Sequence, residues 1–363
     1  MPFCPNCGTQ YVEVPARCGC GFLFGSTQAN PGGVPVVAGP VSAAPPIDPV
    51  GRFDFHGNGM ELLILYVKTF FLSLVTLGIY GFWGRTAIRK FFWSNTSFAG
   101  HRFDYHGTGL EMLIGAAKFF GLFLAWVGVV VLVAIQSGER ENPWIFLLIY
   151  LPLLILVPLG MHGAFRYRAS RTTWQGRRLS YRGNLMEFTK VFWVGALLSL
   201  ITLGVYVPFF MLSVRKYFFT HLYYGGHGFT FTGEGRDLLW PWVKMLLLFL
   251  PTLGLYRFWF QAQQDNYCWE KTTFAGAPFR STLRGADLLM YAIFTLIGGA
   301  LTLGIAIPFI RCAQVKYVFS NLVMPQLPNV NLLAQGPDEA GAFGDTVGEF
   351  LGTDASIGDG FGL

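Results

Sequence analysis

Apolar positions recur along this chain in blocks with a fixed punctuation. A short alternating segment, Phe53-Asp54-Phe55, leads into Gly57-x-Gly59-x-Glu61. An apolar stretch then runs to Thr76-Leu77-Gly78-Ile79-Tyr80, and an aromatic, basic stretch closes at Phe98-Ala99-Gly100. Thr202-Leu203-Gly204, Thr252-Leu253-Gly254 and Thr302-Leu303-Gly304 repeat the punctuation at intervals of fifty residues. A period of that size marks units that bury their apolar faces on one another.

Period two is the signature of strands. It appears in Phe53-Asp54-Phe55, Phe103-Asp104-Tyr105, Leu179-Ser180-Tyr181 and Phe229-Thr230-Phe231, beside Phe98-Ala99-Gly100, Trp174-Gln175-Gly176 and Phe274-Ala275-Gly276. These predict β-hairpins with glycine in the turn, the fifth strand near Phe279 being weaker. Each unit is then a short hairpin, a long apolar helix and an amphipathic second helix. In the first unit the second helix runs from about Phe82 to Asn95, with Arg85, Arg89 and Lys90 among Phe82, Trp83, Phe91 and Phe92. That mixture suits the headgroup layer. The second unit is longer, with apolar runs from Leu113 to Ile135 and from Trp144 to Gly160 around the polar Gly138-Glu139-Arg140-Glu141-Asn142.

Composition makes the solvent a membrane. Of 363 residues, 53% are hydrophobic and 13% charged, against about 25% charged in soluble domains. Val191 to Phe210 and Leu288 to Ile310 carry no charge, and roughly 20 such residues span a bilayer as a helix. The pattern predicts an all-α polytopic membrane protein of about six transmembrane helices over residues 51–325, with the lipid bilayer as its partner. The net charge of +6 fits Lys and Arg at helix ends, and no basic domain is left over for nucleic acid.

The ends read differently. Cys4-Pro5-Asn6-Cys7 and Cys18-Gly19-Cys20 predict a zinc ribbon over residues 1–24. Its four thiolates, Cys4, Cys7, Cys18 and Cys20, would close a structural Zn2+ site on which the ribbon's folding depends. Residues 25–50, rich in Pro, Gly and Ala, read as a flexible linker. Residues 326–363 carry Asp338, Glu339, Asp345, Glu349, Asp354 and Asp359 with no Lys or Arg and read as an acidic disordered tail. Reduced thiolates and the lack of a basic-then-apolar leader place the N-terminus in the cytosol.

An acidic residue opens each apolar helix: Glu61, Glu111, Glu187, Asp237 and Asp287. Lys68, Lys118 and Lys244 follow seven residues after their acids. One reading has the acids cap helix starts and the lysines snorkel to the interface. The sharper reading is a polar ring that gates an anionic solute or lipid. His56 and His106 read as hairpin packing, and Cys268 and Cys312 as apolar packing. No nucleophile–base pair, phosphate-cradling loop or paired carboxylates present themselves, so no enzyme is expected.

The Gly-x-Gly-x-Glu starts, the Thr-Leu-Gly-Ile-Tyr helix end and Arg171-Thr172-Thr173-Trp174-Gln175-Gly176 resemble the YjgN family of bacterial inner-membrane proteins, across roughly residues 51–325. The resemblance implies a multi-pass inner (cytoplasmic) membrane protein of unknown function and supplies no catalytic residue. Two functions fit these expectations. One is a non-enzymatic scaffold or sensor that recruits a protein partner through the ribbon or the tail. The other is a transporter or channel for a small solute or lipid, formed by repeats of alternating topology. Gln261, Gln263, Gln264, Asp265 and Asn266 argue against a full crossing by the fourth second helix and favour re-entrant units.

Overall fold

The computed structural model describes residues 51–136 and 143–326. The zinc ribbon over 1–24, the linker over 25–50 and all but the first residue of the tail over 326–363 lie outside these residues. Chain order is β1 (Gly51–Phe55), α1 (Gly59–Val75), α2 (Gly81–Ser94), β2 (Thr96–Phe98), β3 (His101–Tyr105), α3 (Gly109–Gln136), α4 (Pro143–Arg171), β4 (Thr172–Trp174), β5 (Arg177–Tyr181), α5 (Leu185–Ile201) and α6 (Val207–Thr220). It continues with β6 (Leu222–Tyr224), β7 (His227–Phe231), α7 (Gly235–Phe249), α8 (Arg257–Glu270), β8 (Thr272–Phe274), β9 (Ala277–Pro278), β10 (Arg280–Ser281), α9 (Gly285–Leu301), α10 (Ile307–Ser320) and β11 (Leu322–Met324). Each unit is a long strand, a helical hairpin and a short strand.

The expectation of an all-α fold with separate small hairpins is overturned. All the described strands join one antiparallel sheet in the order β10-β11-β1-β2-β3-β4-β5-β6-β7-β8-β9. Its two ends, β9 and β10, are consecutive pieces of one strand interrupted at Phe279, whose amide donates to the carbonyl of Thr272 (3.1 Å). The sheet therefore closes into a ring, which leaves no edge to solvent. Closure rests on Gly51 opposite Met324, a pairing of distant chain segments that no local pattern encodes.

The ring also fixes the orientation of the units. Every long strand leads into a helical hairpin and every short strand follows one, and neighbours are antiparallel. All helical hairpins thus leave one edge of the ring, and the strand turns occupy the other. Repeats of alternating topology would put successive hairpins on opposite faces, so inverted repeats do not occur among these units.

The count of six transmembrane helices is likewise overturned. Among the described residues only α3, with 28 residues, is long and apolar enough to cross a membrane. The 17 residues of α1, α5 and α9 make about 25 Å of helix, short of a ~30 Å hydrocarbon core. What hydropathy reads as one run reverses at Thr-Leu-Gly. Leu77 (φ 52°) and Gly78 (φ 90°) are both left-handed, and the Gly78 amide donates back to Ser73 O (2.7 Å). Thr76 Oγ1 donates to Leu72 O (2.7 Å) and accepts from the Tyr80 amide (2.9 Å). Thr202, Thr252 and Thr302 make the same pair of bonds.

The helices close a ring of their own. Each first helix packs on its own second helix and on that of the preceding unit, with α1 against α10. Glycine permits the approach: a Cβ on Gly59 would lie 2.9 Å from Phe309 Cα, and one on Gly109 2.7 Å from Trp83 Cα. The outer halves of the short hairpins expose Phe70, Phe71, Leu74, Leu200, Ile201, Leu247, Leu296 and Leu301, with Trp242 Nε1 donating from α7 to the carbonyl of Gly204 at the preceding tip (2.9 Å).

Candidate functional site

Alternation along a strand sends every second side chain to one face, and ring closure points those faces at a common centre. Five cross-strand pairs converge there. Four are registered directly, Phe53 with Phe98, Phe103 with Trp174, Leu179 with Tyr224 and Phe229 with Phe274. Phe279 stands beside Met324 because Arg280 pairs with Val323. All ten side chains line one cavity of about 160 Å3. Ring contacts run around it, from Phe53–Phe98 (4.5 Å) through Phe98–Trp174 (5.3 Å) and Trp174–Tyr224 (5.3 Å) to Phe229–Phe274 (4.7 Å).

The polar atoms of this wall are tied down. Tyr224 donates its hydroxyl to Trp174 O (3.0 Å), and Trp174 Nε1 donates to His101 O (3.1 Å). Burial pushes the Tyr224 phenol up to about 12. The second helices close the cavity with Trp93, Phe165, Trp269 and Phe319, and bring Arg89 and Arg168 to its wall. Just behind Trp269, Arg215 holds its guanidinium 4.7 Å from the ring of Phe219 and 5.2 Å from that of Trp269. Its Nε and Nη2 are buried without a hydrogen-bond partner.

Three of the acids predicted at helix starts, Glu111, Asp237 and Asp287, serve a clamp. Asp237 accepts from the Tyr267 hydroxyl (2.6 Å) and Asp287 from that of Tyr317 (2.7 Å). The same two phenols accept from the amides of Glu234 (2.8 Å) and Arg284 (3.0 Å). Glu111 accepts from Tyr167 (2.8 Å) and from Arg171 (2.6 Å). In the third unit Tyr217 donates to Asn184 O (2.5 Å), one turn before Glu187. Each clamp joins the start of a first helix to the end of its second helix. Burial first, and the Asp237 bond second, push Tyr267 up to about 12. A raised phenol favours the neutral donor, so this contribution is complete below about pH 10 and is lost as the pH climbs toward 12.

The first unit places Phe91 where the others carry tyrosine, so Glu61 lacks that donor. Phe91→Tyr should complete the clamp with Glu61 and the Asn58 amide, raising stability by about 1 kcal/mol in chemical unfolding. The tyrosines escaped the sequence reading, although Tyr217, Tyr267 and Tyr317 each follow their acid by thirty residues.

The lysines stand apart. Lys68, Lys118 and Lys244 are exposed on first helices, and Lys244 lies over its neighbour Trp240 (5.3 Å). The structure does not gather them with the acids around a shared interior. His56 and His106 bond to Ser97 (3.1 Å) and Thr173 (3.0 Å) on adjacent strands, and Cys268 and Cys312 are buried free thiols. Among the described residues no group of His, Cys, Asp and Glu is arranged to hold a metal. Cys4, Cys7, Cys18 and Cys20 lie outside them.

Compared with known families, the chain matches bacterial proteins of unknown function (DUF898) over residues 50–257 and again over 239–350. No curated protein and no solved structure compared with the chain matches it.

Proposed function

The chain belongs to the DUF898 family of bacterial proteins of unknown function, and from that membership we propose a non-enzymatic scaffold or sensor, inserted into the inner membrane from its cytosolic face. One observation carries the reading. The tip leucines Leu77, Leu203, Leu253 and Leu303 are 93, 91, 91 and 94% exposed, and all four are left-handed. That conformation costs an L-residue about 1–2 kcal/mol, and Gly or Asn would suit it better. A solvent that rewards leucine explains the choice.

Backbone satisfaction supports it. Irregular backbone enters hydrocarbon only when its polar groups are paired. At the first tip the amides of Thr76, Leu77, Gly78, Ile79, Tyr80 and Gly81 all donate within the turn. The short hairpins therefore dip into the bilayer and return. At about 42 Å, α3 is long enough to cross, and α4 brings the chain back. This arrangement keeps every strand on one side.

The opposite face of the sheet, with Arg52, Asp54, Arg102, Asp104 and Thr230 exposed, faces the cytosol. Gly51, where the chain enters the ring, pairs with Met324, where it leaves. The described residues thus begin and end at neighbouring points of the ring. A Zn2+ held by Cys4, Cys7, Cys18 and Cys20 belongs to this reading. Purified full-length chain should carry one zinc and lose it in Cys4→Ser/Cys7→Ser.

Sided thiol labelling in cell membranes tests the insertion. Single cysteines at Arg102 and His227, read by mass spectrometry, should both react with an impermeant maleimide from the cytosolic face. A cysteine at Leu77 or Leu303 should react only after detergent is added. Labelling of Arg102 and His227 positions from opposite faces would end the proposal.

A further inference from the structure

We propose that the cleft between α5 and α6 holds an anionic phospholipid, its phosphate between Lys190 and Lys216 and an acyl chain along Val191 and Val194. The inference rests on the insertion of the short hairpins proposed for this chain, and names a lipid that one inserted unit holds. The repeats single that unit out. Three residues after the acid that opens each first helix, the other units carry Ile64, Ile114, Trp240 and Met290, all large, apolar and exposed. The third unit carries Lys190 there. Seven residues after the acid the order reverses, with Val194 where the first, second and fourth units carry Lys68, Lys118 and Lys244. Four residues make about one turn. The third unit therefore keeps its lysine on the same helix face but moves it ~6 Å toward the sheet.

That shift gathers charge. Lys190 and Lys216 line one cleft of about 560 Å3. Both are exposed, and among the described residues no carboxylate pairs with either ammonium group. Glu187, nearer the sheet, is not part of the cleft wall. In the adjoining cleft beyond Lys216, the carboxylate of Glu234 is taken by Arg236 (3.1 Å). The hydroxyls of Ser213 and Thr220 donate to their own helix, which leaves the two lysines to meet an anion. Toward the tip, Val194 and Gly195 continue the same wall. The cleft thus runs from cationic to apolar in the direction of the bilayer, the polarity of a lipid with a phosphate head. Basic pockets between helices on the cytoplasmic side suit such head groups. A free phosphate would use the lysines and leave the apolar end bare.

The first unit supplies the control. It carries Lys90 where the third carries Lys216, while its first-helix lysine, Lys68, stands one turn further from the sheet. Ile64→Lys with Lys68→Val copies the third unit and should create a second site. Lys190→Ile copies the first unit and should weaken the native one.

The test titrates the full chain in neutral-detergent micelles with dihexanoyl phosphatidylglycerol, dihexanoyl phosphatidylcholine and glycerol phosphate, and counts bound molecules by native mass spectrometry. Phosphatidylglycerol should bind once per chain and at least tenfold more tightly than phosphatidylcholine, with glycerol phosphate weaker still. Lys190→Ile with Lys216→Gln should lose at least tenfold in affinity for phosphatidylglycerol, and Lys68→Val alone should change nothing. The Ile64→Lys/Lys68→Val protein should bind two. Equal affinity for the two lipids, or unchanged affinity without the two lysines, overturns the site, as does a first-unit variant that still binds one. Glycerol phosphate held as tightly as the lipid overturns the lipid as occupant. These titrations in micelles fail or succeed independently of the sided labelling, which alone reads how the hairpins sit in the membrane.

Discussion

Carrying aspartate at all four tips, as Leu77→Asp, Leu203→Asp, Leu253→Asp and Leu303→Asp together, expels the short helical hairpins from the bilayer. A carboxylate held in hydrocarbon costs about 2.5–3.5 kcal/mol on insertion scales, where leucine is favourable by about 0.3–0.6. Four such changes sum to on the order of 10 kcal/mol or more, enough to reverse the partition of these hairpins. In water the same change is mild, because the four leucine side chains are more than nine-tenths exposed and aspartate accepts the left-handed conformation more readily than leucine. The signs therefore differ between the two solvents.

A cysteine at Leu296, exposed on the outer half of α9, reports the outcome. It should be shielded from an impermeant maleimide in the parent and react at least a hundredfold faster in the four-aspartate variant. Leu77→Ala and its three equivalents should leave the shielding in place. The α3–α4 hairpin still anchors the variant, so the protein stays in the membrane fraction while its tips do not. Equal reactivity in parent and variant would mean that the tips lie in water throughout.

The second large effect is expected at the closure of the ring. Val323 pairs with Arg52 on one side and Arg280 on the other, and the neighbouring Leu322 and Met324 are buried. Val323→Pro removes an amide from the strand that joins the two ends of the sheet. Proline in a paired strand, with a carbonyl left unmatched, should cost on the order of 3 kcal/mol. The loss is not only local, since an opened ring presents β1 and β10 as bare edges that template intermolecular pairing. Thermal unfolding should shift downward and be followed by aggregation, while Val323→Thr behaves as the parent. A Val323→Pro protein with unchanged unfolding and no tendency to associate would show that closure contributes little.

The sequence legible before folding was that of the unit. Phe53 and Phe55 share a strand face because period two allows nothing else. The acids fall in the first turn of their helices because unpaired amides and the helix dipole favour them there. The Gly-x-Gly spacing was visible too, but its cause was not: Gly59 meets the backbone of Phe309, from the far end of the chain.

Hydropathy misjudged the helices for a chemical reason. Thr, Leu and Gly are each at home in a membrane helix, so a window across Thr202-Leu203-Gly204 registers one apolar run. The reversal lies in two left-handed residues, Leu203 and Gly204, and leucine carries no turn propensity by which to read it. The tyrosine clamps vanish from view for the same reason. Asp237 and Tyr267 meet only after the chain has doubled back between them.

By itself the sequence determined the repeat, its strand and helix segments and the acids at the helix starts, since all of these follow from spacing within about fifty residues. The tertiary structure alone decided that the strands form one ring, that all hairpins point the same way and that aromatic faces meet around a cavity with arginine at one end. Those features depend on β1 finding β11 across the whole chain. Side-chain periodicity specifies which face is shared, and only closure specifies what that face encloses.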